Sequence, residues 1–515
     1  MPPRHVTLTA LAIVCLAGVL RLIWLTSVPN GLFCDEASTG YDAFSLLHTG
    51  RDQYGEFMPL FARSVGDYNE SLYRFLSVPF VALFGLEVFA VRLPAAIAGI
   101  ATVAALYALG RRWFDSTTGL VAAALLAVSP WHLALSRVAF RSILLPLFFC
   151  LALICFDRGL KQKSSWLLWS GACFGLSLFT YSAARVFVPA FVLVLVVLRH
   201  QELRAKWRET TGFLLIIAAF LVVMAPFWLS DAGLARASFA VEANLATVVS
   251  NYFSYFSPEF LFFNGDPNLR HSPFGFGELH LLEIATVISG LFLVLRRRGE
   301  NDLLVLSWLV LFPVPAFLSA PDHALRSLVG VPVLALLSAH GAVELCRILP
   351  EGTRRKIAAG TIGILLCASA GRFLHHYYVE YPRYSARHWQ YGAKEAYAAA
   401  GASGAPCVVI SSNAFLPHFF YLFYNRIPPA IYQSHPVPGL SQTQLGIRNY
   451  SLGNFHIAPL GEAIQQMPRC VFIAVRGDMQ GMRPHYEVLR EIRSPLGEVL
   501  YRVFRRASSG AQEGY

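Results

Sequence analysis

Charge is what this sequence has least of. Asp, Glu, Lys and Arg make up 14% of its 515 residues, against about 25% in an ordinary soluble domain. That excludes a chain held in solution by a charged surface. With 55% hydrophobic residues and a mean hydropathy of +0.50, the bilayer is the first solvent to consider. Cysteine is sparse as well. Six of the nine, Cys15, Cys150, Cys155, Cys173, Cys346 and Cys367, lie in apolar runs and none forms a CxxC pair, so neither a zinc site nor a disulfide framework is indicated. No Walker loop, GxGxxG context or Ser/His/Asp signature is recognisable, which disfavours a consumer of nucleotides. The net charge of +11 does not point to nucleic acid, because the basic residues are scattered between apolar runs rather than gathered into a stripe with interleaved aromatics. No internal repeat is apparent, which counts against a transporter built from duplicated halves.

What the chain has in abundance is long apolar runs. Windows of about 20 apolar residues fall at 6–28, 90–110, 118–136, 141–157, 166–183, 185–198, 211–229, 281–295, 302–320, 327–346 and 357–374. These make eleven expected spans, the first of them longer than a signal-peptide core and read as an anchor. The stretch 72–86, "LYRFLSVPFVALFGL", is apolar but short, and loop charge decides how to read it. If it does not cross, "GRRWF", "DRGLKQK", "RHQELRAKWRE", "RRRGEND" and "CRILPEGTRRK" all lie on one side, the cytoplasmic one by the positive-inside rule. If it crosses, "GRRWF" changes sides. The stretch 72–86 is therefore expected to lie at the membrane surface or to be partly re-entrant.

That parity puts the N-terminus in the cytoplasm and residues 29–89, 230–280 and 375–515 outside it. The expected architecture is an α-helical polytopic membrane domain over 1–374 and a small extracytoplasmic α/β domain over 375–515. The tail opens on a helical signal, "ARHWQYGAKEAYAAAG", and continues with the β-type runs "CVVIS", "CVFIAV" and "EVLYRVF", separated by Pro and Gly turns.

Two features of the outer face carry chemistry. Asp35 and Glu36 in "GLFCDEASTGYDAF" stand at the start of the first outer loop. A carboxylate there can take a proton from an attacking hydroxyl or amine, and the same residues also read as cap and first-turn acids of a surface helix. The second feature is arginine where positive charge should be thin. Arg137 and Arg141 occur in "SRVAFRS", Tyr181 and Arg185 in "TYSAARVF", Arg270 and His271 in "FNGDPNLRHSPFG", and His323 and Arg326 in "PDHALRS". Each arginine singly reads as an interfacial anchor. As a set they suit the forked recognition of a phosphate whose lipid tail lies in the bilayer. His271 and His323 leave room for a divalent ion with Asp35 or Glu36, although their spacing carries no metal signature.

"PNGLFCDEASTGYDAF", "LYRFLSVPFVALFGLEVFAVRLPAAIAGIATVAALYALGRRWF" and "SPWHLALSRVAF" resemble the GT-C membrane glycosyltransferases, and within them the protein O-mannosyltransferases and the lipid A aminoarabinose transferase. The resemblance covers about residues 6 to 374. It implies a polyprenyl-phosphate sugar donor and an acceptor that is a protein, lipid or glycan. It implies transfer outside the cytoplasm, usually with inversion; the sequence itself requires no cofactor and leaves a divalent metal open. The family's first-loop aspartate matches Asp35 and its neighbour matches Glu36, while arginines and histidines of the outer loops would hold the phosphate. The chain departs from the pattern in two places. Where the aminoarabinose enzymes carry Lys-Pro-Pro, this chain has Asn69, Glu70 and Ser71. Where relatives often carry an acid after "SR", it has Arg141. The alternatives to a single-sugar transferase are a polymerase or ligase of lipid-linked glycans, or a transporter of lipid-linked sugars. A transporter would be expected to keep its ionisable groups near the midplane.

Overall fold

A computed structural model describes residues 3–64, 67–230, 244–317, 321–438, 446–479 and 486–507. Part of the expected long outer loop (231–243) and the end of the expected 302–320 span (318–320) lie outside the described residues. The chain divides into two compact units. The first comprises Met1–Leu25, Glu70–Tyr73 and Leu93–Tyr378, the second Thr26–Asn69, Arg74–Arg92 and Val379–Tyr515.

The first unit is helical. Among the described residues seven helical stretches are long and apolar enough to cross a bilayer: Arg4–Leu22, Val88–Trp113, Arg141–Lys161, Trp207–Trp228, Glu300–Phe317, Leu328–Ile348 and Thr353–Ser385. Leu72–Phe84, Ser116–Val128 and Ala184–Leu198 are apolar but shorter. The eleven expected windows thus fall on helices of unequal length, because hydropathy reads apolarity and is blind to where tertiary packing ends a helix. Leu72–Phe84 has 13 residues and spans about 20 Å at 1.5 Å per residue, short of a hydrocarbon core of about 30 Å.

Burial grades these helices. Leu328–Ile348 is 89% enclosed over its apolar window, while Trp207–Trp228 is 17% and Thr353–Ser385 is 11% enclosed. The first is a central helix, and the other two present apolar side chains outward as lipid-facing helices do. Small residues let the central helix approach its neighbour. A Cβ on Gly341 would sit 1.9 Å from the Thr286 carbonyl oxygen, and one on Gly290 2.0 Å from that of Leu337. Between these contacts the Thr286 and Ser338 hydroxyls hydrogen-bond at 2.7 Å, the arrangement of small and hydroxyl residues that joins helices in lipid.

The second unit holds two sheets. Phe61–Ser64 (β1) pairs with Asp67–Glu70 (β2). The larger sheet has six strands, Val408–Ser411 (β3), Tyr450–Leu452 (β4), Phe455–Ala458 (β5), Val471–Val475 (β6), Tyr486–Arg493 (β7) and Val499–Arg506 (β8), in the order β4-β5-β3-β6-β8-β7. β3 is parallel to both β5 and β6, and β8 is antiparallel to β6 and β7. Val409, Phe472, Ala474 and Phe504 bury one face with Leu460 and Ala463 of the helix Leu460–Gln466. The three β-type runs read from sequence are β3, β6 and β8. The helical run expected from residue 386 begins at Ala393, because Gly392 takes φ 89° and interrupts the backbone there.

Cys407 and Cys470 are disulfide-bonded. The parallel register sets Val408 opposite Val471, so the residues just before the two strands are neighbours. The partners are 63 residues apart, and only the register of the sheet brings them together.

Candidate active site

In the second unit, Asp35 and Glu36 enter the first turn of the helix Cys34–Thr49. Asp35 is exposed and Glu36 is fully buried. Glu36 accepts from the Phe33 N–H at 3.2 Å, so the capping role falls on it and not on Asp35. It also takes a forked pair from Arg92, Nε to Oε1 and Nη2 to Oε2, both at 2.9 Å. Arg92 donates in addition to the Pro29 carbonyl at 3.0 Å. Glu36 therefore anchors the turn that presents Asp35, through a charge-assisted fork with a buried guanidinium.

In the first unit, the segment 266–271 is wound by consecutive Asx turns. Asp266 Oδ1 accepts from the Asn268 N–H at 2.8 Å, and Asn268 Oδ1 accepts from the Arg270 N–H at 3.1 Å and from Arg270 Nε at 3.2 Å. Gly265 precedes the turns at φ 71°, where a Cβ would meet Ser272 Oγ at 2.6 Å. Asp266, missed in the sequence, is the organiser. Its Oδ2 accepts from His271 Nδ1 at 2.8 Å and from the Ala324 N–H at 2.9 Å, and lies 3.8 Å from His323 Nδ1. The two imidazoles stack with centroids 4.7 Å apart. Arg326 follows in the same turn, its N–H bonded to the His323 carbonyl.

The electrostatics divide the two histidines. Burial pushes the Asp266 carboxyl up, but the hydrogen bond and charge of His271 outweigh it and hold the group below the usual carboxylate range. Burial, followed by the charges of His271 and Arg326, pushes His323 down to about 3 against the pull of Asp266. One carboxylate thus fixes one imidazole by its Nδ1, while the stacked neighbour stays neutral. Asp266, His271 and His323 also offer ligand atoms within 4.8 Å of one another, an N/O set of the kind transition ions take. An ion there would replace the hydrogen bond between His271 and Asp266.

The remaining arginines are engaged within the first unit. Arg137, fully buried, donates to the carbonyls of Leu20 at 2.8 Å and Ile23 at 2.7 Å, closing the end of the first helix, and lies 5.0 Å over the ring of Tyr378. Arg185 Nη2 pairs with Glu70 Oε1 at 2.6 Å, and Arg141 Nε with Glu70 Oε2 at 2.9 Å. Arg141 stands over Tyr181 at 5.1 Å. Burial raises the Glu70 carboxyl, but Arg141 and Arg185 hold it below the usual range. Glu70 and Arg141, one from each of the two places where the chain departs from the family pattern, are thus partners in one ion pair.

The family model described as dolichyl-phosphate-mannose-protein mannosyltransferase matches residues 72–229. YycA of Bacillus subtilis (strain 168), a candidate mannosyltransferase by its name, is 30% identical over 152 residues, 29% of this chain. The match spans 22% of that relative's length. Among solved structures, ArnT from Cupriavidus metallidurans bound to undecaprenyl phosphate aligns at a TM-score of 0.59 and 13% identity, over 98% of this chain and 99% of that one. The archaeal oligosaccharyltransferase AglB from Archaeoglobus fulgidus, in complex with an inhibitory peptide and a dolichol-phosphate, aligns at 0.52 and 13% identity over 99% and 75%. At such identities the likeness is one of fold. The chain is an integral membrane protein with the fold of the GT-C glycosyltransferases, and its residues 72–229 match a glycosyltransferase family within that group.

Proposed function

We propose that this chain transfers a single sugar from a polyprenyl-phosphate carrier to an acceptor on the extracytoplasmic side, with inversion. On this reading the acceptor's hydroxyl or amine attacks the anomeric carbon and its proton passes to Asp35. The bond from that carbon to the phosphate oxygen breaks, and the carrier leaves as its phosphate. Arg270, His271 and Arg326 stabilise the charge that develops there, where such a site gains most of its rate. Glu36 holds the turn that carries Asp35.

The observation that carries the reading is the pair of His271 and His323 held at one buried carboxylate, Asp266, with Arg270 and Arg326 in the same two turns. It occurs in a chain whose fold matches a protein bound to undecaprenyl phosphate. The disulfide of the C-terminal sheet supports the outward placement of that part, since disulfides persist in oxidising compartments.

The test is transfer by the purified protein in lipid nanodiscs, with a panel of polyprenyl-phosphate sugars and glycan, lipid and peptide acceptors. Arg326→Ala and Arg270→Ala should each weaken donor binding by about 1.5 to 3 kcal/mol if a charged hydrogen bond is lost. Unchanged donor affinity in both would reassign them to anchoring at the interface. A chelator decides the role of the Asp266 trio: unchanged turnover keeps it an anion site, and loss restored by Mn²⁺ or Zn²⁺ makes it a metal site.

A further inference from the structure

The C-terminal sheet has a cleft at the place where open α/β sheets bind ligands. β3 and β6 are adjacent and parallel, and the chain leaves their carboxyl ends in opposite directions. From β3 it continues toward β5 and β4, and from β6 toward β8 and β7. Such a switch point opens a crevice between the two departing loops. Here the loops after Ser411 and after Val475 line a cleft of about 380 Å³, within the size range of small-molecule sites.

Aromatic faces and planar polar groups line it. Tyr391, Phe415 and Tyr501 stand with Arg387, Asn413 and Arg476. Phe415 is 44% exposed, its ring is stacked with that of Phe33 at 6.3 Å between centroids, and its loop is fixed from behind. Gln390 donates to the Phe415 carbonyl at 2.9 Å. Gln390 and Leu416 both adopt positive φ, 52° and 51°, a strained conformation for side chains of their size and one that collects at functional sites. Asn413 donates its amide to Asp478 at 2.6 Å, which leaves its carbonyl oxygen as an acceptor, and Arg476 is paired with Glu498. The disulfide ties together the opposite, amino-terminal ends of these same two strands.

We infer that this cleft binds a pyranose residue of a glycan. A pyranose carries an apolar C–H face, which an exposed aromatic ring covers, and a rim of hydroxyls, which fixed Asn and Arg groups hydrogen-bond. A nucleotide at a switch point would need a glycine-rich turn opening a helix to cradle its phosphates. The loop after β3 is Ser412-Asn413-Ala414-Phe415-Leu416-Pro417, which has no glycine. The inference concerns the second unit alone and does not require that the chain catalyse transfer.

The experiment reads binding without turnover. Saturation-transfer NMR on the full-length protein in nanodiscs would use methyl α-mannopyranoside, methyl β-galactopyranoside, N-acetylglucosamine and AMP at millimolar concentration. At least one sugar should receive saturation and AMP should not. Phe415→Ala should weaken that sugar about tenfold, Phe415→Tyr should retain it, and both variants should unfold at the wild-type temperature. Saturation of AMP alone, of no sugar, or of a sugar equally in wild type and Phe415→Ala overturns the inference.

Discussion

Glu36 and Asp35 are neighbours in sequence with opposite surroundings, and two isosteric substitutions separate their roles. Asp35→Asn keeps the side chain's size while removing its charge and its ability to take up a proton. It should leave folding and expression near normal and lower turnover about 10²- to 10⁴-fold. Near wild-type turnover on a confirmed donor and acceptor would mean that the base lies elsewhere. Glu36→Gln strands the buried guanidinium of Arg92 and should instead lower stability by about 3 to 5 kcal/mol, read as the unfolding temperature in detergent. A second residue-scale forecast concerns His418. It is buried beside Phe419, with ring centroids 3.9 Å apart, and burial pushes its imidazole down to about 3. The folded pKa lies below the unfolded value of about 6.5, so acidification below 6.5 protonates the unfolded chain first and the contribution is lost as pH falls. The loss is about 1.4 kcal/mol per pH unit in that window. His418→Gln should therefore lose less stability than wild type between pH 6.5 and 5.5, and parallel losses would refute the assignment.

At the scale of elements, the contact between Glu283–Arg297 and Val331–Ile348 depends on glycine. Because even a Cβ at Gly341 would lie 1.9 Å from the Thr286 carbonyl oxygen, Gly341→Leu must push the two helices apart. A loss of about 1 to 3 kcal/mol or more is expected, whereas Gly360→Leu, on a position with no neighbour within 4 Å, should be close to neutral. Equal melting temperatures for the two variants would show that the helices do not pack through this surface. In sequence both glycines sit in ordinary apolar runs, and nothing local separates them. Strands β3, β6 and β8 were legible as short β-branched runs between turns. The paired strands β4 and β5, Tyr-Ser-Leu and Phe-His-Ile-Ala, were not, because neither is a β-branched run.

For the whole molecule, loop charge makes a statement about orientation. If Leu72–Phe84 stays on one side, single cysteines placed beside Arg111 and Arg112 in a cysteine-depleted variant should react with a membrane-impermeant reagent only after the inner face is opened. Labelling of intact cells at those positions would refute the eleven-span parity. Local composition alone is enough for membrane residence, read from apolar runs, for the sidedness expectation, read from loop arginines, and for the small C-terminal domain, read from its short β-type runs. Pairings between distant residues needed the folded chain. Glu36 met Arg92 across 56 positions, Glu70 met Arg185 across 115, and Cys407 met Cys470 across 63. Asp266 became the centre of the histidine pair because His323, in a separate turn, folds against it. Hydropathy and periodicity are properties of neighbours along the chain, whereas the partner of a buried charge is set by which helices and strands pack side by side.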